Sequence, residues 1–451
     1  MTFKLYLLLM ALSYLRVFEL FAPELAPLRP MLLLMLIVLG LSIADLKKQG
    51  GSALSKQHQR LMWGIIGMVF LSSLLAAGFG DAIGSLIAFL PTPMLFFISG
   101  MNLTSMERVK RLTATIIGCL AILSIMSVAC YHTGFMVDTL TMKENGTGPD
   151  SGFAAVIESN DIPALDTSGR YLWRIRSVGF LGDPNDYAQT MVCFLPLLLT
   201  FWQPGHAMRN LLLIAPTVSL LLYTIYLTRS RGALLGLSSL FFLTVRKRLG
   251  NVLTAGLVVG IFVGAMALNF TGGRAVSSKD ESAGGRIEAW AQGLNMLTYH
   301  PVAGVGYHRF SDHHTHTAHN TLVVCFGELG LLGYWVWLGL VLMVFTQLSR
   351  AADAALPGTV EQLWATRAKM SFIGFFVCSM FLSRAFEPQL FILLVISVGI
   401  WNAVCKQLQG TPQGIALAAT LPWRSRTFFW AIGTILFFYV LVNVNNILLG
   451  R

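Results

Sequence analysis

Apolar residues along this chain come in blocks of about 18–25, separated by short polar stretches; that is the length a helix needs to cross a hydrocarbon core of roughly 30 Å. A lipid-exposed segment has to satisfy its own backbone hydrogen bonds, and uninterrupted apolar runs do so as helices rather than as barrel strands. The pattern predicts spans over roughly 4–22, 29–45, 61–79, 82–100, 112–131, 177–202, 210–228, 232–245, 251–269, 320–347, 371–385, 388–404 and 428–448. The second, eighth, eleventh and twelfth are short for a full crossing, so the expectation is an all-α polytopic integral membrane protein with about 12–13 transmembrane helices. Two long polar connections, 132–176 and 270–318, divide the chain into N-terminal helices (1–131), a first loop, a central helical part (177–269), a second loop and C-terminal helices (319–451). Connections of that length, without obvious secondary structure, usually carry function. No internal repeat or low-complexity tract is visible.

Composition sharpens the membrane assignment. Of 451 residues 55% are hydrophobic and only 12% charged, roughly half the charged share of a soluble domain. The net charge of +11 raises nucleic acid as a partner, and its distribution removes it. Lys47, Lys48, Lys56 and Arg60 form one cluster, and Arg108, Lys110 and Arg111 another. Arg246, Lys247 and Arg248 follow, then Arg367 with Lys369, and Arg424 with Arg426. Alternating the spans from a cytoplasmic N-terminus puts every cluster inside, which is the positive-inside signature, and leaves both long loops outside. Cys119, Cys130, Cys193, Cys325, Cys378 and Cys405 fall in or beside apolar segments without CxxC spacing, so they are expected to pack rather than to form disulfides. The first 22 residues contain Arg16 and Glu19 and lack a small-residue cleavage site; they predict a retained first helix rather than a signal peptide.

Polar residues in apolar surroundings are the candidates for chemistry. Thr228-Arg229-Ser230-Arg231-Gly232 stands between two apolar blocks at an outer end. Its arginines either snorkel to the interface or form an anion site, since a planar guanidinium matches phosphate oxygens. Arg286 opens a stretch in which Ile287, Trp290, Leu294 and Leu297 recur at helical spacing, suiting an amphipathic helix on the membrane surface. The glycines before it allow close backbone approach, and a helix start favours phosphate, although an arginine at such a junction is often just solvated. In Gly179-Phe180-Leu181-Gly182-Asp183-Pro184-Asn185-Asp186-Tyr187, Pro184 suits a first helical turn and Asp183 its cap. Asp186 is then left near apolar surroundings, where an arginine partner is expected. Arg174 and Arg176 of the first loop would suit an acidic glycan or a phosphate.

The run Ser311-Asp312-His313-His314-Thr315-His316-Thr317-Ala318-His319-Asn320 ends where a long span begins. His316 and His319 have a possible ligand spacing, but the stretch lacks Cys and has Asp312 as its only nearby carboxylate, so no metal is assigned. His313, His314 and His316 fit a solvated loop. His319 abuts the span, where burial controls protonation, and suits a general base near neutral pH.

Several of these residues together resemble the bacterial O-antigen ligase and polymerase superfamily. The resemblance rests on Ser230-Arg231-Gly232-Ala233, on Gly284-Gly285-Arg286-Ile287-Glu288-Ala289-Trp290, and on His300-Pro301-Val302-Ala303-Gly304-Val305-Gly306. It continues through His319-Asn320-Thr321-Leu322 and Gly327-Glu328-Leu329-Gly330-Leu331-Leu332-Gly333, covering about 175–345 in order. It implies a GT-C-like, metal-independent and cofactor-free enzyme of the bacterial inner membrane that moves a glycan from undecaprenyl diphosphate to an acceptor on the periplasmic side. His319 would be the base or orient the acceptor; Arg231 and Arg286, with Arg229, would hold the donor diphosphate; Asp183, Asp186, Asn320 and Glu328 would support them. The acceptor is a lipid-linked repeat unit in polymerases, lipid A–core in ligases and a protein in related transferases. Membrane lipids and a chain-length regulator are further implied partners. The Asp183–Asp186 element resembles polymerases more than enterobacterial ligases, which favours repeat-unit polymerisation. A transporter would be expected to show repeated halves, and a zinc hydrolase rests on the histidine run alone.

Overall fold

The computed structural model describes residues 1–46, 51–145, 162–166, 171–267, 281–315, 317–419 and 421–448. Its principal helices are α1 (Thr2–Leu15), α2 (Pro30–Leu46), α3 (Lys56–Ala77), α4 (Phe79–Phe89), α5 (Pro91–Asn102), α6 (Met106–Thr133), α7 (Pro184–Leu198) and α8 (Ala215–Leu227). Then come α9 (Arg231–Leu249), α10 (Asn251–Ala267), α11 (Glu281–Tyr299), α12 (Thr321–Ala354), α13 (Val360–Ser379), α14 (Pro388–Gln407) and α15 (Trp423–Leu448). The all-α polytopic class expected from the pattern is the class observed. Among the described residues, six helices are long and apolar enough to cross a membrane alone: α3, α6, α8 with its preceding turn from Ala207, α12, α14 and α15. The α4–α5 pair, bent by 40°, makes a seventh span if taken as one. The apolar helices α1, α2 and the first part of α10 are shorter, and α7, α9 and α13 also fall outside this set, so the count from hydropathy alone runs higher.

Three expected spans take a different form. The block 82–100 is broken at Leu90–Pro91, where proline occupies the first position of α5 and has no amide hydrogen to continue α4. The block 177–202 begins its helix only at Pro184, because 177–183 folds as a separate turn. The block 320–347 extends to Ala354 and is kinked at Gly330 (φ 65°, ψ −171°). A straight helix of 34 residues would run about 50 Å, well past the hydrocarbon thickness; the kink divides it into two shorter arms.

Side-chain contacts define the two ends of the bundle. At one, the Arg108 guanidinium lies 5.0 Å from the Phe3 ring, Thr2 Oγ1 donates to Asp45 (2.6 Å), and Asn402 Nδ2 donates to Ala53 O (2.8 Å). This end carries Arg108 and, close to Ala53, Lys56 at the start of α3. At the far end Ser127 Oγ donates to Arg176 O (3.1 Å), Arg309 pairs with Asp81 (3.2 Å), and Ser383 Oγ donates to Thr317 Oγ1 (3.1 Å). Between them, α14 is the central helix: 72% of its apolar window is buried, against 22% for the peripheral α15. A helix apolar all round belongs in the middle of a bundle, and the unbroken run Leu390–Val395 of α14 is buried throughout.

Two expectations are corrected. The first long connection contains a two-stranded antiparallel sheet, β1 (Thr141–Asn145) with β2 (Tyr171–Ile175), in the register Thr141↔Ile175 to Asn145↔Tyr171. Five-residue strands of mixed polarity leave little signal in a hydropathy pattern. The amphipathic helix α11 does have its apolar face on Ile287, Trp290, Leu294 and Leu297, but that face joins the protein core instead of lying on lipid. Trp290 meets Phe438 of α15 edge-on at 5.4 Å.

Candidate functional site

The far-end connection between α13 and α14, residues 380–387, organises the site. Asn320 caps α12: its Oδ1 accepts from Leu322 N (3.0 Å) and Val323 N (3.1 Å), as cap residues do. Its Nδ2 donates to Met380 O (3.0 Å). Thr321 Oγ1 donates to Leu382 O (2.7 Å) and accepts from Arg384 N (2.9 Å). On the other side of His319, Ala318 O accepts from Trp290 Nε1 of α11 (2.9 Å). His319 is therefore held between two anchored, buried neighbours while its own side chain is half-buried. Its backbone is left-handed (φ 45°), a conformation non-glycine residues rarely adopt and one that persists where surrounding bonds impose it.

Arg231 begins α9, with Ser230 Oγ accepting from Ala233 N (3.3 Å) as the cap. Arg229 is also left-handed (φ 53°), and its guanidinium lies 4.1 Å from the Tyr226 ring centroid. Gly232 packs on Phe381: a Cβ there would stand 3.6 Å from Phe381 Cβ. From the opposite direction the Arg286 guanidinium approaches to 5.8 Å from the Phe381 ring centroid. Gly232, the residue after Arg231, and Arg286 thus both meet Phe381, next to the carbonyl that Asn320 binds. Arg286 and Trp290, four residues apart, share a face of α11; through Trp290 that helix also fixes the residue before His319.

Burial pushes the Arg286 guanidinium pKa down, and the positive charges of Arg231 and then Arg174 push it further. Arg286 is thus within electrostatic reach of two further cations, and an anion beside it would be favoured. Arg174, on β2, is buried; its Nε donates to Thr228 O (2.8 Å), Nη1 to Glu144 (2.7 Å) and Nη2 to Asn185 Oδ1 (2.8 Å). The first-loop sheet thereby reaches the Thr228–Gly232 turn and the Asp183–Asp186 element in one side chain.

The remaining expected residues make the following contacts. Asp183 Oδ1 accepts from Asn185 N (2.7 Å) and Pro184 starts α7. Asp186 pairs with an arginine, but with Arg384 of the 380–387 connection: Nε donates to Oδ1 (2.6 Å), Nη2 meets Oδ2, and Glu387 lies 3.5 Å from Nη1. Burial lowers the Arg384 pKa, while the charges of Glu387 and Asp183 oppose that shift. Arg384 was not among the sequence candidates; its only signal was a lone arginine between two apolar blocks. Glu328 accepts from His308 N (3.0 Å) and Phe310 N (3.3 Å), so its carboxylate pins the preceding loop.

That loop and the kinked helix interlock through glycines. Val305 N donates to Gly327 O (3.1 Å), Gly306 N to Glu328 O (3.1 Å) and Leu331 N to Pro301 O (2.8 Å). A Cβ on Gly330 would stand 2.5 Å from Gly304 N, so the backbones can touch only without side chains there. The residues 300–306 and 327–333 are one clamp that sets the start of α12. His313 is exposed and His314 half-buried, while His316 lies outside the described residues. Among the described residues no three His, Cys, Asp or Glu are close enough to hold a metal ion.

Residues 216–338 match the family model described as O-antigen ligase. The matched stretch carries Arg229, Arg231, Arg286, His319, Asn320, Glu328 and both halves of the glycine clamp, and it supports the resemblance to the O-antigen ligase and polymerase superfamily. Arg174, the Asp183–Asp186 element and Arg384 lie outside it. No curated protein matches the chain.

Proposed function

We propose that the chain is an inner-membrane glycosyltransferase that moves a glycan from undecaprenyl diphosphate to a sugar hydroxyl at the far end of the bundle, on the periplasmic side. The observation that carries this reading is Arg286, within electrostatic reach of Arg231 and Arg174 and set against Phe381, the residue after the Met380 carbonyl that His319's neighbour Asn320 binds. The sidedness follows from the basic clusters at the opposite end.

In the reaction the acceptor oxygen forms a bond to the anomeric carbon as the bond from that carbon to the diphosphate oxygen breaks. Charge then accumulates on the departing diphosphate. Guanidinium groups already fixed around that position stabilise it without reorganising, and they do so more strongly in a desolvated site than in water. A hydroxyl is a poor nucleophile until its proton is accepted, and an imidazole nitrogen of His319 is the acceptor in this scheme. Attack opposite the leaving group inverts the anomeric centre. Neither a metal nor a cofactor is assigned a step.

For the acceptor we favour the next lipid-linked repeat unit, as in a polymerase, on the resemblance of the Asp183–Asp186 element. The description of the matched family favours the second reading, ligation to lipid A–core. Purified protein given undecaprenyl diphosphate-linked repeat units, with and without lipid A–core, tests both. A ladder of longer lipid-linked glycans without lipid A–core supports polymerisation, and a product formed only with lipid A–core supports ligation. No product with either would sink the transferase reading.

A further inference from the structure

At the basic end, away from the site above, α3, α12 and α15 enclose a cavity of about 430 Å³. Arg60 and Gln57 of α3 and Arg424 and Trp423 of α15 line it. On α3 the lining positions Gln57, Arg60, Leu61 and Gly64 fall on one stripe of the helix. Two glycines make the approach of the three helices possible. A Cβ on Gly64 would stand 2.9 Å from Val336 Cγ1, and one on Gly339 would stand 2.8 Å from the Trp423 ring. Trp423 also packs on Trp335 (centroids 4.9 Å apart), whose Nε1 donates to Arg424 O (3.1 Å), fixing the backbone that carries the second arginine.

The charge here is one-sided. No carboxylate lines the cavity, and neither Arg60 nor Arg424 forms an ion pair among the described residues. Both are exposed, whereas the walls are apolar. Along the same helices Trp63 (62% exposed) and Phe429 (72% exposed) present apolar surface outward. A phosphate beside two arginines, a tryptophan at the water–hydrocarbon boundary and an apolar continuation toward lipid match the chemistry of a phospholipid. Basic pockets between helices on the side rich in Lys and Arg bind anionic headgroups in this way.

We propose that this cavity is a binding site for the headgroup of an anionic phospholipid, its phosphate held by Arg60 and Arg424 and its chains lying along the exposed faces of α3 and α15. The cluster Arg246, Lys247 and Arg248 at the end of α9 is the internal contrast: it carries comparable charge on a single helix end. General attraction of the leaflet acts on both places, but a shaped site exists only where two helices bring arginines around a cavity.

The test uses full-length protein in lipid nanodiscs with increasing fractions of brominated phosphatidylglycerol or brominated phosphatidylcholine. Quenching of Trp423 is isolated by subtracting the signal of Trp423→Phe. Brominated phosphatidylglycerol is expected to quench at a fraction roughly five- to thirty-fold lower than phosphatidylcholine, the range that two surface cations supply. Arg60→Gln with Arg424→Gln should remove that preference, Gly64→Leu should do the same by filling the cavity, and Arg246→Gln with Lys247→Gln should retain it. Equal quenching by the two lipids, an unchanged preference in both cavity variants, or an equal loss in the Arg246 and Lys247 variant would each overturn the site. So would displacement of brominated phosphatidylglycerol by low-millimolar inorganic phosphate, which would reassign the cavity to a soluble anion. Because the readout is lipid binding, failure of the glycan-transfer reading leaves it untouched.

Discussion

Two sets of arginines meet at the far end of this bundle, and their surroundings separate structure from chemistry. Arg384 is buried and closed: Asp186 takes it bidentately and Glu387 flanks it, so its charge is matched within the protein. Arg286 is half-buried and, among the described residues, forms no hydrogen bond or ion pair; its neighbours are the Phe381 ring and the like charges of Arg231 and Arg174. A buried ion pair with both partners present ties elements together, here the start of α7 to the start of α14. A guanidinium such as Arg286, facing like charges, is a place for an anion to enter. Arginine content alone does not distinguish Arg384 from Arg286; the carboxylates that face Arg384 do.

The contrast is broken or sharpened by substitution. His319→Ala carries the largest expected effect, a loss of about 10²–10⁴-fold in transfer rate, with an unchanged thermal midpoint because Ala318 and Asn320 keep their backbone anchors. Wild-type turnover in that variant would remove the base from the scheme. Arg286→Ala should lower turnover by about 10²–10³-fold, again without loss of thermal stability, and Arg286→Lys should recover only part, since the planar fork is lost. A fall in melting temperature instead would put Arg286 with Arg384 among the structural arginines.

Arg384→Ala should act the other way round, destabilising the fold by about 2–4 kcal/mol by leaving the half-buried Asp186 without its partner. Replacing both, as Asp186→Leu with Arg384→Leu, should recover most of that stability. If this double variant is stable yet inactive, the pair belongs to the catalytic machinery and the distinction drawn above fails. Glu328→Gln is expected to weaken the clamp by about 1–3 kcal/mol, the usual effect of impairing a buried acceptor, visible as a lower melting temperature before any change in rate. His313→Ala, on an exposed turn, should stay within about 0.5 kcal/mol of wild type and keep full activity.

Much of the candidate site was legible in the chain because its residues are polar where apolar ones are expected. Arg231, Arg286 and His319 each stand at the border of an apolar block, and border positions are visible in one dimension. Asp186 announced the need for a cation by the same logic, but not which one, since Arg384 lies 198 residues away and adjacency at that separation is a property of packing. Glu328 was expected in a supporting role, and its carboxylate holds two backbone amides of the loop before His319. The glycine-rich stretches carried the family resemblance, yet their physical purpose, two backbones in contact at Gly304 and Gly330, appears only when the chain folds back on itself.

Hydropathy determined by itself that the chain is a bundle of membrane-crossing helices, because lipid imposes length and backbone satisfaction on each segment separately. Those constraints are local and can be summed along the sequence. Tertiary structure alone decided what covers the apolar face of α11, that Arg384 is closed off by Asp186 and Glu387 while Arg286 faces like charges, and how His319 is held in a left-handed backbone. Each depends on which side chains meet across tens to hundreds of residues, and an apolar stripe or a lone charge states a requirement without naming the group that meets it.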